Sequence, residues 1–127
     1  MSRLKTFLVE DSPVIRSNLA AALEDLAPVD IVGHAASADD AILQLETLIE
    51  QDGFDLVIID IFLKGGSGLD VLSRLSKLRA PARPVVLTNY ATPEIRAECL
   101  HLGADKVFDK SRDIDALVGY CNEVAAG

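Results

Sequence analysis

The sequence lacks any apolar run that approaches the roughly 20 residues needed by a membrane-spanning helix. The first residues, Met1 to Lys5, precede only a short apolar stretch from Thr6 to Val9, so we expect no signal peptide. Only two cysteines occur, Cys99 and Cys121, each inside a separate apolar helical pattern that predicts a small buried thiol. Together these features predict a protein of the reducing cytoplasm.

Positive charge is also scarce, with 12 Lys and Arg against 20 Asp and Glu and a formal net charge of −8. This balance argues against binding nucleic acid or an anionic membrane through bulk electrostatics. A chain of 127 residues, half of them apolar, buries roughly two-thirds of its unfolded surface and needs no disulfide or structural metal to fold. We expect a single domain over residues 1–127, with no output domain in this chain.

Short β-rich runs alternate five times with longer segments of helical spacing. The runs predict strands at Leu4–Val9, Val29–Ala35, Leu56–Asp60, Pro84–Leu87 and Lys106–Phe108. An amphipathic helix is predicted after each strand, and Ser12-Pro13, Ser37 and Thr92-Pro93 mark helix starts. Five successive βα units predict a doubly wound α/β fold, with a five-stranded parallel sheet and helices on both faces.

Polar residues follow the strands where the carboxyl ends of parallel strands meet, which is where such sheets bind ligands. These residues are Glu10, Asp11, Asp60, Thr88 and Lys110. Each has an ordinary explanation alone, such as a helix-end charge, a turn cap or a solvated lysine. Together, however, three carboxylates at one edge repel one another unless a cation is present.

This combination of side chains predicts a phosphoryl-transfer site. Oxygen ligands without neighbouring His or Cys favour Mg²⁺ over zinc. The hydroxyl of Thr88 and the ammonium of Lys110 are suited to phosphoryl oxygens. Asp60 ends the strand predicted to be central and buried, so we assign it as the nucleophile that accepts a phosphoryl group.

The chain resembles the receiver domain of bacterial two-component response regulators, the CheY-like family, over essentially its whole length. The matching segments are Val9-Glu10-Asp11-Ser12, Asp60-Ile61-Phe62-Leu63-Lys64-Gly65-Gly66-Ser67-Gly68, Leu87-Thr88, and Gly103-Ala104-Asp105 followed by Lys110. The resemblance implies a flavodoxin-like sheet with strand order 2-1-3-4-5. It also implies phosphoryl transfer to Asp60 from the phosphohistidine of a histidine kinase or a histidine phosphotransfer protein.

The same resemblance implies the roles of the other site residues. Asp11 and Asp60 would coordinate Mg²⁺ with the backbone carbonyl of Phe62, and Glu10 would act largely through bound water. Thr88 would bond a phosphoryl oxygen, and Lys110 would pair with the phosphorylated carboxylate. The signal would reach an unknown downstream protein through the surface formed by helix 4, strand 5 and helix 5.

Several positions depart from the family pattern. Lys64 and Ser111 stand where proline is usual, and Asn89 stands where a small residue is common. Val107 occupies the position of the family's aromatic switch residue, and Phe108 should point to the opposite face of its strand. The usual aromatic rotation is therefore not expected.

Phe62 and Tyr90 each lie two positions past a site residue. Two interpretations are open: the rings slow autodephosphorylation by crowding water's approach, or they only pack their loops.

Other functions fit the sequence less well. A flavodoxin-type cofactor binder is disfavoured because the acidic loop Glu10-Asp11-Ser12-Pro13 would repel a phosphate. A haloacid-dehalogenase-type hydrolase should carry an acid where this chain has Phe62. We therefore expect a signalling receiver that assists its own phosphorylation and dephosphorylation, rather than a turnover enzyme. The alternative left open is a receiver-like module that binds proteins independently of phosphorylation.

Overall fold

Five strands and five helices alternate along the chain, as the hydrophobic pattern predicts. The computed structural model describes residues 3–51 and 53–127; Met1, Ser2 and Asp52 of the predicted domain lie outside these ranges. The strands are Leu4–Val9 (β1), Val29–Ala35 (β2), Leu56–Ile59 (β3), Arg83–Thr88 (β4) and Lys106–Asp109 (β5). The helices are Pro13–Leu26 (α1), Ala38–Glu50 (α2), Gly68–Leu78 (α3), Pro93–His101 (α4) and Ile114–Ala126 (α5).

Four boundaries, in three of the strands, differ by one residue from the prediction. Asp60 follows β3 instead of ending it, because its carboxylate accepts the amide N–H of Phe62 in a local turn. Strand β4 begins at Arg83. Thr88 belongs to β4 and Asp109 to β5, because Thr88 and Asp109 pair with each other across the sheet. The order of elements is unaffected.

All five strands run parallel in the order β2-β1-β3-β4-β5, which confirms the predicted flavodoxin-like topology. Strand β3 is central, and each of its four residues is buried. Alternate side chains of the strands enter two separate cores, with Val57 and Ile59 on one face and Ile58 on the other. Helices cover both faces, so the fold is doubly wound.

Helices α1, α2 and α4 begin at the predicted cap residues. The hydroxyl of Ser12 accepts the amide N–H of Ile15 at 3.3 Å, and that of Thr92 accepts the amide of Ile95 at 3.2 Å. Ser37 caps α2 in the same way. Each cap fixes the residue at which a helix begins after β1, β2 or β4, so the loop between strand and helix is short.

Gly68 brings the start of α3 against the end of β3. A Cβ atom at this position would lie 2.2 Å from the carbonyl oxygen of Asp60, a distance that no side chain tolerates. The amide of Gly68 instead donates to the carbonyl of Ile61 at 2.9 Å. The glycine thus permits a tight loop after Asp60. Among the described residues, no helix is both long and apolar enough to cross a membrane.

Candidate phosphoacceptor site

Three acidic side chains from two strand ends meet at the carboxyl edge of the sheet. Oxygen atoms of Glu10, Asp11 and Asp60 all lie within 4.8 Å of one another. Glu10 and Asp60 are buried, with only 3% and 7% of their surface exposed, while Asp11 is half-buried. Strands β1 and β3 are neighbours in the sheet, which explains why their ends place these side chains together.

Lys110 supplies a positive charge inside this acidic group. Its Nζ lies 2.5 Å from Oε1 of Glu10 and 2.8 Å from Oδ2 of Asp60. Burial alone would lower the pKa of this ammonium, but its hydrogen bonds to Asp60 and Glu10 and their charges more than offset that effect and raise the pKa. Lys110 is therefore held protonated. Its single positive charge does not balance the three carboxylates of Glu10, Asp11 and Asp60.

Each of the three carboxylates also accepts a backbone N–H from a loop. Glu10 accepts the amide of Ser12 at 3.0 Å, and Asp60 accepts that of Phe62 at 3.3 Å. Asp11 accepts the amide of Lys64 at 2.7 Å, which ties the loop after β1 to the loop after β3. Sequence reasoning missed these donors, because a backbone amide carries no residue-specific signal.

Thr88 lies at the end of β4 and is fully buried as a residue. Its Oγ1 accepts the amide N–H of Tyr90 at 3.3 Å, and its carbonyl accepts the amide of Lys110 at 3.0 Å. The end of β4 is thereby joined to the residue that follows β5. An open pocket of about 200 Å³ lies above these groups and is lined by Glu10, Asp11, Ser12, Ile15, Asp60, Phe62, Thr88, Asn89, Tyr90 and Lys110.

Two aromatic rings stand on the rim of this pocket. The ring centroids of Phe62 and Tyr90 are 4.9 Å apart in an edge-to-face arrangement. Both side chains are large and apolar, yet 49% of Phe62 and 60% of Tyr90 is exposed. The contact joins the loop after β3 to the loop after β4 across the mouth of the pocket.

Two of the positions that depart from the family pattern, Ser111 and Val107, have ordinary local structures. Ser111 donates its amide and hydroxyl to Oδ1 of Asp109, at 2.8 and 2.7 Å. These bonds, the hydroxyl first, lower the pKa of the Asp109 carboxyl. No cis peptide bond occurs among residues 3–51 and 53–127. Val107 and Phe108 enter opposite cores, as the alternation of a strand predicts.

The chemistry of this pocket fits a hard divalent cation. Its potential ligands are carboxylate and carbonyl oxygens, and no His or Cys lines it. Oxygen ligands together with a surplus of negative charge suit Mg²⁺ or Ca²⁺ rather than zinc. Because the pocket opens to solvent, room remains for water and for a phosphoryl group beside such an ion.

The sequence of the chain matches a known protein family. A family model for the response regulator receiver domain matches residues 6–122 of the chain. The chain belongs to the response regulator receiver domain family. Five candidate site residues of this receiver domain all lie inside the matched region: Glu10, Asp11, Asp60, Thr88 and Lys110.

Curated relatives of the receiver domain are longer than the chain. The transcriptional activator DevR/DosR of Mycobacterium tuberculosis, described as DNA-binding, is 29% identical over 128 residues. The match covers 98% of this chain and 55% of the relative. The chain thus spans about half the length of the curated relatives it matches.

Solved structures support the same fold. A signal receiver domain from Mycobacterium tuberculosis, described as that of a response regulator NarL, has a TM-score of 0.86 at 20% identity. The match covers 100% of this chain and 99% of that one. A response regulator from Burkholderia pseudomallei with a phosphorylated aspartic acid, a calcium ion and citrate has a TM-score of 0.74 at 27% identity. That match covers 96% of this chain and 69% of the other.

Proposed function

We propose that Asp60 of this receiver domain accepts a phosphoryl group from the phosphohistidine of a histidine kinase or histidine phosphotransfer protein. One observation carries the proposal: Asp60, which follows the central buried strand β3, contacts Lys110 and shares its pocket with Asp11 and Thr88. An acceptor oxygen, a fixed cation, a further carboxylate and a hydroxyl donor are the parts that phosphoryl transfer requires.

The chemistry uses these parts as follows. The P–N bond of the phosphohistidine breaks while a carboxylate oxygen of Asp60 forms a P–O bond, and the freed imidazole is left to take up a proton. Lys110 holds Oδ2 of Asp60 at 2.8 Å, whereas Oδ1 accepts only the longer bond from the Phe62 amide. Oδ1 is therefore the less committed oxygen and the better nucleophile.

Mg²⁺ is the proposed cofactor of this step. Asp11 and Asp60 would hold the ion with the backbone carbonyl of Phe62, and Glu10 would act largely through bound water. When bound, the ion offsets the negative charge of the carboxylates and of the transferred group. The phosphorylated aspartic acid and calcium ion of the Burkholderia pseudomallei regulator support this type of site.

An apolar groove beside the acceptor pocket supports a protein as the donor. This groove, of about 480 Å³, lies between α1 and α5 and is lined mostly by apolar side chains, among them Ile15, Leu19 and Ile114. Ile15 and Lys110 border both the groove and the acceptor pocket. A helix that carries the donor histidine would contact the groove as its imidazole approaches Asp60.

The output of the reaction is a changed protein surface. New bonds from Thr88 and Lys110 to the phosphoryl group bias the arrangement of α4, β5 and α5, where an as yet unidentified downstream protein binds. The chain carries −8 formal charge, so we propose that it binds neither nucleic acid nor membrane directly and works in the cytoplasm. It assists its own phosphorylation and dephosphorylation, without turnover of a substrate.

Intact-protein mass spectrometry after incubation with acetyl phosphate and Mg²⁺ tests the acceptor chemistry. We expect one labile phosphoryl addition in the wild type and none in Asp60→Asn or after chelation of the metal. A receiver of known activity, treated in parallel, shows that the phosphodonor is competent.

The opposite result has a clear meaning. If the folded wild type gains no phosphoryl group under these conditions, the phosphoacceptor proposal is wrong. A receiver-like module that binds proteins independently of phosphorylation then becomes the preferred function.

A further inference from the structure

Arg96 is a half-buried side chain of α4 that contacts three separate segments. Its Nε donates to the carbonyl of Ala91 at 3.0 Å, in the loop that follows Thr88. Its Nη1 donates to the carbonyl of Val107 in β5 at 2.9 Å. Its Nη2 lies 3.8 Å from Oδ2 of Asp113, the residue that precedes α5. A single guanidinium therefore joins the loop after β4, strand β5 and the start of α5.

We propose that Arg96 is a positioning residue that transmits a displacement of the loop after Thr88 to β5 and α5. The proposal rests on the proposed function, because phosphorylation of Asp60 provides the displacement. Arg96 does not line the acceptor pocket, so its effect is on the response to phosphorylation and not on the transfer itself.

The starting point of the transmission is the hydroxyl of Thr88. Its Oγ1 accepts the amide N–H of Tyr90 at 3.3 Å. When Thr88 rotates to donate to a phosphoryl oxygen, this contact is lost and residues 89–91 are released from it. The carbonyl of Ala91 belongs to the same short loop, and Arg96 is bonded to it.

The other end of the transmission is the turn that connects β5 to α5. Oδ2 of Asp113, which lies beside Arg96, also accepts the amide N–H of Asp109 at 2.9 Å. The amide of Asp113 in turn donates to the carbonyl of Asp109 at 2.9 Å. Movement of the guanidinium therefore acts on a closed turn that includes Lys110 and sets the direction of α5.

Val107 cannot supply an alternative signal through its side chain. It is buried and packs in the same core as Val86 and Cys99. A valine has no ring that exchanges between buried and exposed positions. The backbone carbonyl of this residue, however, is one of the two that Arg96 holds, so the contact with β5 runs through the main chain.

Helix α4 is held weakly enough to be moved. Cys99 is its only fully buried residue, and Ile95 is partly buried against the same core. Hydrogen bonds from a charged guanidinium to two carbonyls are stronger than bonds between neutral groups. The bond from Arg96 to the Val107 carbonyl thus adds a directed contact between α4 and β5 to the packing of Cys99 in the same core as Val107.

Backbone amide NMR of the full chain tests this assignment, with beryllofluoride and Mg²⁺ as the phosphoryl mimic. In the wild type we expect chemical-shift changes both at residues 88–91 and at residues 113–120. In Arg96→Met the changes at residues 88–91 remain, while those at 113–120 fall by about threefold or more. Arg74→Met is the matched control, because Arg74 pairs with Glu46 between α2 and α3 and contacts neither loop. It should respond like the wild type.

A second variant keeps the test decisive if Arg96→Met does not fold. Asp113→Asn retains an acceptor for the Asp109 amide but removes the charge beside Arg96, and we expect a reduced response at 113–120 only. A full α5 response in folded Arg96→Met, or in Asp113→Asn when the first variant is unfolded, overturns the proposal. So does a wild type that responds at 88–91 but not at 113–120. Failure of the proposed function is distinct, since the wild type would then respond at neither segment and gain no phosphoryl mass.

Discussion

The ammonium of Lys110 lies 2.8 Å from Oδ2 of Asp60, although the two residues follow strands separated by β4 in the sheet. The same ammonium lies 2.5 Å from Oε1 of Glu10. The cation that the crowded carboxylates require is thus partly supplied by the chain itself. In the proposed function, Lys110 stays beside Asp60 when the phosphoryl group arrives.

Removal of the Lys110 charge should destabilise the protein most strongly when no metal is present. In a chelator, Lys110→Met leaves buried carboxylates uncompensated, and we expect a loss of about 3 kcal/mol in the free energy of unfolding. Added Mg²⁺ should recover part of this loss, because the ion restores positive charge at the same place. Lys77→Met, at an exposed position of α3, should change stability by less than about 0.5 kcal/mol. Urea unfolding with and without Mg²⁺ measures both effects; equal losses in the two variants would contradict the prediction.

Binding of Mg²⁺ should itself stabilise the folded chain. With free Mg²⁺ at about ten times its dissociation constant, linkage predicts a gain of about 1.4 kcal/mol in the free energy of unfolding. Asp11→Asn should lose most of this gain, since Asp11 is the ligand proposed beside Asp60. Asp25→Asn, an exposed change on α1, is the control and should keep the gain. Thermal unfolding over a Mg²⁺ titration provides the measurement. If Asp11→Asn kept the full Mg²⁺-dependent gain in stability, the ion would bind at a different site and the prediction would be wrong.

The contact between Phe62 and Tyr90 should lengthen the lifetime of the phosphorylated state. Phe62→Asn removes one ring from the pocket mouth and admits water, so phosphoryl loss should accelerate by about tenfold, equivalent to about 1.4 kcal/mol in the barrier. Leu43→Asn alters another exposed apolar side chain, on α2, and should leave the half-life unchanged. Decay of the phosphoryl mass after removal of the donor measures the rates. An unchanged half-life in Phe62→Asn would show that the rings only pack their loops.

Tyr120 should make a pH-dependent contribution to stability. Its hydroxyl donates to Oδ2 of Asp105 at 2.5 Å, and burial, followed by this bond, raises its pKa above the ordinary value of 10.0. The folded phenol therefore keeps its proton where the unfolded one ionises. The stabilising contribution is complete below pH 10 and is lost as the pH rises toward the folded pKa.

Tyr120→Phe isolates that contribution. The variant keeps the ring beside Phe108 but removes the hydroxyl, and we expect a cost of about 1 kcal/mol at neutral pH. The difference in unfolding free energy between the wild type and the variant should shrink above pH 10. Urea unfolding at a series of pH values gives this difference. A constant difference up to the alkaline limit of folding would refute the linkage.

The sequence pattern was sufficient to predict a doubly wound parallel sheet, whereas the strand order was implied by the family resemblance. The pattern also predicted that polar residues after the strands meet, namely Glu10, Asp11, Asp60, Thr88 and Lys110. The prediction of this meeting succeeded because parallel strands place their carboxyl ends at one edge of the sheet. Strands β1, β3, β4 and β5 are consecutive in the sheet, so their ends lie close together. The caps at Ser12, Ser37 and Thr92 were predictable for a similarly local reason, since the hydroxyl bonds an amide within the next turn.

Contacts that depend on loop conformation were not predictable. The bond from the Lys64 amide to Asp11 joins two loops 53 residues apart, and the bonds of Arg96 end on backbone carbonyls. These bonds have no signature in the sequence, because every residue type has a backbone carbonyl and all except proline have a backbone N–H. The extra residues of β4 and β5, Thr88 and Asp109, also depend on pairing across the sheet rather than on local propensity.

Chemical identification of the phosphorylated residue tests the central claim most directly. Borohydride reduces an acyl phosphate to an alcohol, so phosphorylated aspartate becomes homoserine while free carboxylates do not react. After treatment with acetyl phosphate and Mg²⁺, reduction and peptide sequencing by mass spectrometry, we predict homoserine at position 60 and unchanged Glu10 and Asp11. A reduced residue at position 10 or 11, with Asp60 intact, would contradict the assignment of Asp60 as the phosphoacceptor.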